Sequence, residues 1–505
     1  MLFEISKCDL AGRIGTLETN HGRVKTPAFV PVIHPVKQSI PASKLKQMGF
    51  DLVITNAYIT MKNYGDIAVQ RGIHDIIGYD GAVMTDSGGY QVLEYGKVDV
   101  TPEAMASFET GIGSDIAIPL DKPTGFGMLE KKAKEYVNHT LTVCKQTLNN
   151  AQRQGQIWAG PIQGGEHEKL VKYSAKSLVK MGYEFLALGS PVEFMEAYEY
   201  VRLAEMIVAA RRSISDSSPM HLFGAGHPLT IALAVSLGCD TFDSASYMLY
   251  AKQDRYITED RTRKIGDIEY FSCPCEICSK TTPAEIVSME KQERVEKIAL
   301  HNLYSIKSEV DRTKEAIADG RLWEHLMKKM HSHPKLYEAR YTVAASQDII
   351  APSTPQFKKG AVFLYEPIDQ YRPEVLSYHD TVRKFKTRKK ILCISRDSTR
   401  KPAYLAPEQI ELEKYFEDHE KIQFCRYSKH LGLLPLEISD LYPAAHYVEA
   451  RTRDAVLAYP EFAKTWEKFF SNNSFDTVYY TFDEFLLYYV RRLPKGVQRR
   501  KLLLD

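Results

Sequence analysis

Long apolar runs are missing from this chain. No stretch of eighteen apolar residues occurs in it, so a membrane-spanning helix is not a reading the sequence supports. The amino terminus, MLFEISKCDL, has no basic segment followed by an apolar one, so no secretory signal is recognisable and a cytoplasmic location is expected. Cysteine is scarce, with eight in 505 residues. Five of these (Cys8, Cys144, Cys239, Cys393 and Cys425) are scattered, as thiols in a reducing compartment are, which excludes a disulfide framework as the organising device. Three common catalytic signatures are also lacking: there is no H-E-x-x-H, no G-x-S-x-G and no Walker loop, and GFG at 125–127 is too short a glycine signal for phosphate binding. Net charge is close to nil at +2. What is present, 44% hydrophobic and 26% charged residues, is the make-up of a soluble globular protein, and 505 residues are too many for one ordinary domain.

The charge is unevenly spread. Residues 383–401, RKFKTRKKILCISRDSTRK, hold nine Lys or Arg against one Asp, and RRLPKGVQRRK at 491–501 holds six and no acid. Either run alone reads equally well as solvated surface. Two in the same half favour a polyanion, since each phosphate neutralised releases counterions.

The first 250 residues carry a repeated pattern. Short apolar runs ending in polar or glycine-rich turns occur at AFVPV (28–32), DLVITN (51–56), AVMTDSGG (82–89), SDIAIPLD (114–121), IWAGPIQGG (157–165), FLALGS (185–190), MHLFGAGHP (220–228) and TFDSASY (241–247). Between most of them lie segments with helical spacing. Fully apolar strands alternating with amphipathic helices predict an α/β fold, and eight units predict a (β/α)8 TIM barrel, with an open doubly wound sheet as the runner-up. The preceding IGTLETNHGRVKTP reads as a hairpin capping one end. The expected organisation is a catalytic barrel over 1–340 with a metal-binding insertion around 252–301, then two small α/β modules, 341–430 and 431–505, the second ending in the basic tail.

Within the polar insertion, FSCPCEICSK gathers Cys273, Cys275 and Cys278 as C-x-C-x-x-C, and His301 follows 23 residues after the last of them. Three thiolates and an imidazole complete a tetrahedral zinc set, and with four protein ligands no open position is left for water. The predicted Zn2+, one per chain, is therefore structural, and chemistry is sought elsewhere.

In a barrel, catalytic groups sit where strands end. The strand ends here supply Asp86, Asp121, Gln163, Gly189, Phe223 and Asp243. A single strand-end aspartate is more often a helix cap. Three on one mouth, together with Gln163, form an acid/base constellation.

The motifs TDSGGYQ, PIQGG, FGAGHP, FDSASY and C-x-C-x-x-C…H, in this order over roughly residues 8–330, resemble the tRNA-guanine transglycosylase family. CISRDSTRKPAYLAPE and HLGLLPLEISDLYPAAHYVEAR resemble its archaeal branch. The resemblance implies replacement of guanine at position 15 of tRNA by 7-cyano-7-deazaguanine (preQ0), the first step toward archaeosine. It implies Asp243 as the nucleophile that forms a covalent sugar ester and Asp86 as general acid/base, in the manner of retaining glycosidases. By the same resemblance Ser87 assists Asp86, Asp121 accepts the guanine N1–H and amino edge, and Gln163 with the backbone near Gly189 reads O6. Tyr90 and Phe223 sandwich the base, and Pro191 and Val192 form an apolar slot for the nitrile. The implied partners are tRNA, preQ0 and guanine, and a second copy of the chain. The resemblance also brings a PUA module that grips the tRNA acceptor end; no segment here matches it, so either a separate PUA protein supplies that contact or the two basic runs suffice. Retention of Asp86, Asp243 and the zinc ligands opposes the two alternatives, a catalytically silent tRNA-binding subunit and the paralogous archaeosine synthase.

Overall fold

A computed structural model describes residues 2–89, 100–150, 155–398 and 400–502. The chain divides into two compact units, Met1–Ser353 and Thr354–Asp505. Among the described residues no helix is long and apolar enough to cross a membrane.

The first unit opens with an antiparallel meander, β1 (Phe3–Asp9), β2 (Gly12–Thr19) and β3 (Gly22–Thr26). Eight parallel strands follow and close into a barrel: β4 (Ala28–Ile33), β5 (Leu52–Asn56), β6 (Ala82–Asp86), β7 (Ile116–Ala117), β8 (Ile157–Ile162), β9 (Phe185–Leu188), β10 (Met220–Leu222) and β11 (Thr241–Ser244), with β11 pairing back onto β4. All eight come from the apolar runs singled out in the sequence. Strands such as β5 and β9 are buried at every position because helices cover the outside and side chains fill the inside. β7 is the short one: Pro119 lacks an N–H and ends the ladder, so Asp121 lies four residues beyond the strand.

Phe3, Leu17 and Val24 of the meander join Val30, Leu52, Ile54, Met84, Ile116 and Phe185 in one apolar cluster, so the meander stoppers the barrel. It does so at the amino-terminal end of the strands, where Asp115, just before β7, accepts hydrogen bonds from the His21 backbone N–H (3.1 Å) and from Val83 N–H (2.8 Å). The opposite end is left open. After β11 a short antiparallel pair, β12 (Arg255–Ile257) and β13 (Thr262–Lys264), opens the polar insertion. The long helix Lys291–Ala318 packs on the helices Pro228–Ser236 and Ser246–Lys252 and supplies the eighth barrel helix that the patterning after Pro283 predicts.

In the second unit a five-stranded sheet runs in the order β17-β16-β15-β19-β20, with β15 (Ile391–Arg396), β16 (Ile422–Ser428), β17 (Gly432–Pro435), β19 (Thr477–Thr481) and β20 (Gln498–Leu502); β14 (Val362–Leu364) and β18 (Tyr447–Glu449) pair separately. Two features differ from the sequence expectation. The boundary drawn at 430 falls in the tight connection between β16 and β17, which pair antiparallel, so both sides of it share one sheet. The basic tail, read from sequence only as a run of charge, is also part of that sheet. Its QRRKL forms an edge strand parallel to β19, with Leu502 buried and the four preceding side chains exposed.

Candidate active site and metal centre

The open mouth of the barrel holds a cavity of about 1030 Å³. Asp86, Asp121, Gln163, Gly189, Pro191, Val192, Phe223 and Asp243 all line it, so eight of the residues named from sequence are brought together. Ser87 is not among the lining residues. It is fully buried, and its Oγ has no hydrogen-bond partner among the described residues, so the expected assistance to Asp86 is not carried by a side-chain bond in this geometry. Tyr90 lies outside the described residues.

The three carboxylates are held differently. Asp86, the last residue of β6, accepts from Asn56 Nδ2 (3.2 Å) and from Gly88 N–H (3.3 Å). Burial, opposed by those donors and reinforced by the charge of Asp243, pushes its carboxyl up to about 6 from an ordinary 3.8. For Asp121, burial and then the Asp86 charge push it up to about 7, while the bond from Gln163 acts against them. Asp243 directs Oδ1 toward two donors, Gly224 N–H at 2.9 Å and His221 Nε2 at 3.1 Å. A fourth carboxyl, Glu109, is buried behind β6 and bonded by Thr85 Oγ1 (2.7 Å); burial holds it well above its ordinary value.

Gln163 has its orientation fixed. Its Oε1 accepts from Thr124 N–H (3.0 Å), Thr124 Oγ1 (2.9 Å) and Ser190 Oγ (3.0 Å), which leaves Nε2 to donate to Asp121 Oδ2. Two glycines are required here by space. A Cβ on Gly189 would lie 2.2 Å from Gln163 Nε2, and one on Gly224, whose φ is +71°, would lie 2.3 Å from Val192 Cγ2. The mouth also carries cations: Lys37, Lys252, Arg255 and Arg261 line the same cavity, as does His34. Asn56 and His221 were not singled out in the sequence. Asn56 ends DLVITN, so the strand-end rule would have found it; His221 sits inside an apolar run, where a buried imidazole needs partners.

Away from this mouth, the sulfur atoms of Cys273, Cys275 and Cys278 and a ring nitrogen of His301 lie within 4.8 Å of one another. His301, inside the long helix, turns Nδ1 toward the thiols, 3.5 Å from Cys275 Sγ and 3.3 Å from Cys278 Sγ. Its Nε2 lies 2.8 Å from the Ile257 carbonyl, a bond that fixes the proton on Nε2 and leaves the Nδ1 lone pair for a metal. Tyr256 stacks on the imidazole at 3.5 Å. The donor set fits a metal ion, and it ties the loop after β11 to the eighth helix.

The family described as queuine tRNA-ribosyltransferase matches residues 8–335. The chain is 38% identical over 482 residues to the tRNA-guanine(15) transglycosylase of Sulfolobus acidocaldarius, spanning 94% of each. It is 39% identical to the protein of that name from Saccharolobus solfataricus, over 88% of this chain and 90% of the relative. The namesake from Thermococcus onnurineus is 41% identical over 72% of this chain, which spans only 62% of that longer relative.

Proposed function

This chain belongs to the queuine tRNA-ribosyltransferase family, and from that premise we propose that it replaces guanine at position 15 of tRNA with 7-cyano-7-deazaguanine. The name its archaeal relatives carry, tRNA-guanine(15) transglycosylase, supports the reaction and the position. The observation that carries the reading is the pairing of Asp86 and Asp243, which open on one cavity from different strands, near enough that the charge of Asp243 helps raise Asp86.

Exchange that keeps the β configuration at C1′ needs two inversions and so a covalent intermediate. In the first, a lone pair of Asp243 bonds to C1′ while the C1′–N9 pair departs with guanine, and Asp86 gives the leaving base its proton. In the second, the incoming base loses its N9 proton to Asp86, N9 bonds to C1′, and the ester oxygen of Asp243 leaves as carboxylate. A group titrating near 6 suits both directions. Asp121 accepts from N1–H and the exocyclic amine, and the Gly189 backbone with Gln163 reads O6. Phe223 lies against one face of the base, a stacking contact of about 1–3 kcal/mol. Val192 and Pro191 give the linear nitrile an apolar slot. The target nucleotide must leave its stack to enter, and the cations at the mouth suit the phosphates on either side of it.

Zinc is the metal this reading assigns to the cysteine centre, where it would hold the loop and do no chemistry. A cytoplasmic location, a homodimer, and a PUA protein at the acceptor end belong to the same reading by family resemblance. The test is incorporation of radiolabelled guanine into unmodified archaeal tRNA by the purified chain, with preQ0 as competitor. Incorporation that preQ0 suppresses is expected. No incorporation, with or without an added PUA-domain protein, would return the silent-subunit alternative.

A further inference from the structure

We infer that His221 is a positioning residue that selects which oxygen of Asp243 attacks, holding Oδ1 and leaving Oδ2 to meet the sugar. The inference rests on the nucleophile reading above and extends it by one residue and one atom.

β10 and β11 are neighbours in the barrel, with His221 in register with Thr241. His221 is fully buried, and both its ring nitrogens are engaged: Nδ1 lies 2.9 Å from Thr241 Oγ1 and Nε2 lies 3.1 Å from Asp243 Oδ1. A carboxylate can only accept, so Nε2 carries a proton; in the neutral form of the ring Nδ1 is then an acceptor, and the Thr241 hydroxyl can donate to it. Thr241 thereby sets the tautomer that His221 needs. The Gly224 N–H donates to the same Oδ1 at 2.9 Å, whereas no donor among the described residues is hydrogen-bonded to Oδ2.

A free carboxylate has two equivalent oxygens and turns about its Cβ–Cγ bond. Two donors on one oxygen remove both freedoms. Oδ1 is drawn away from reaction, and on this cavity-lining residue Oδ2 keeps its lone pairs unquenched, which is the pre-orientation an in-line displacement at C1′ requires. The same two donors stabilise the negative charge that returns to Asp243 when the second base displaces it. A buried imidazole nitrogen left without a partner is unfavourable, so the fully paired arrangement is the one the strand can hold. The ring also packs edge-on against Phe223 at 4.8 Å between centroids, so a purely structural role competes with the positioning role. The experiment must separate the two.

Two amides do so. Glutamine at 221 carries its –NH2 where histidine carries Nε2, facing Asp243, whereas asparagine reaches only the Thr241 side. Guanine exchange is measured on tRNA with the full chain, and metal content and the unfolding midpoint confirm the fold of each variant. His221→Asn should lower kcat about 10–100-fold with KM for tRNA within about threefold of wild type, and His221→Gln should restore kcat to within about threefold. Wild-type kcat in His221→Asn, equal losses in both variants, or an effect on KM alone would overturn the inference. If His221→Asn does not fold, His221→Gln decides: near-wild-type kcat upholds the claim and a folded, inactive protein sinks it. Asp243→Ala, run alongside, distinguishes the levels. Exchange surviving in it removes the nucleophile itself, while a dead Asp243→Ala beside a fully active His221→Asn removes only the positioning role.

Discussion

Replacing Asp121 by asparagine should make the protein more stable and a worse binder of its base. Asp121 sits at the cavity with its carboxyl raised from 3.8 to about 7, first by burial and then by the charge of Asp86. Between those two values the folded state binds more protons at this site than the unfolded chain does. Stability therefore falls as pH rises from about 4 to about 7, and the deficit is complete above 7. At about 1.4 kcal/mol per pH unit the full rise is worth about 4 kcal/mol, and water entering through the cavity screens part of it, leaving about 2–4 kcal/mol. Asparagine removes the charge, keeps the shape, and can still accept from Gln163 through its amide oxygen. For a unit spanning Met1–Ser353, an unfolding entropy near 2.1 cal/mol/K per residue turns that gain into a rise of about 3–5 °C in midpoint. Calorimetry of both proteins across pH is the assay. The gap should be largest above pH 7 and close toward pH 4, while the KM for free guanine rises in the variant because N1–H loses its charged acceptor. A variant no more stable at pH 8 than at pH 4, relative to wild type, would refute the account of Asp121 as a charge held at a cost in stability for binding.

Other expectations follow from the same geometry. With Asp86 titrating near 6, release of guanine from tRNA should slow as pH rises through about 6 and the acid form is lost; Asp86→Asn should abolish that dependence and lower the rate about 10²–10⁴-fold. Cys275→Ser should drop bound zinc from one per chain to none and, for free metal about a thousandfold above Kd, cost about 4 kcal/mol in stability; a metal-free wild type of unchanged midpoint would contradict the structural centre. Deleting the basic tail would strip β20 from its sheet, so its role is better read by charge alone. Neutralising Arg499, Arg500 and Lys501, which are exposed on that strand, should flatten the salt dependence of tRNA binding by about 2–3 in slope, and an unchanged slope would leave this strand without contact to tRNA.

The barrel was legible in the sequence because a strand buried on both faces has to be apolar throughout, and the polar residue that ends it stands out against that run. Asp86, Gln163 and Asp243 stand out in this way, and so does Asp121, although Pro119 stops the strand well before it. The cysteine centre was legible because three soft ligands packed as C-x-C-x-x-C do not suit an apolar core, yet only the structure shows the Ile257 carbonyl that orients His301. Other features left no local signal. His221 lies within an apolar run, and its partners Thr241 and Asp243 are twenty residues and more away, joined to it only by closure of the barrel. The second unit resisted reading for the same reason. Its sheet order β17-β16-β15-β19-β20 draws neighbours from distant parts of the chain. An edge strand with four exposed positions in five, QRRKL, has the composition of a solvated tail.

The central claim is that the sugar passes through Asp243. Reacting the enzyme with tRNA in the absence of a second base, denaturing it rapidly and mapping any RNA-linked peptide by mass spectrometry tests this directly. One adduct is expected, an ester on the peptide containing TFDSASY, absent from Asp243→Ala and discharged by added preQ0. Exchange that proceeds with no adduct, or with an adduct on any other residue, would contradict it.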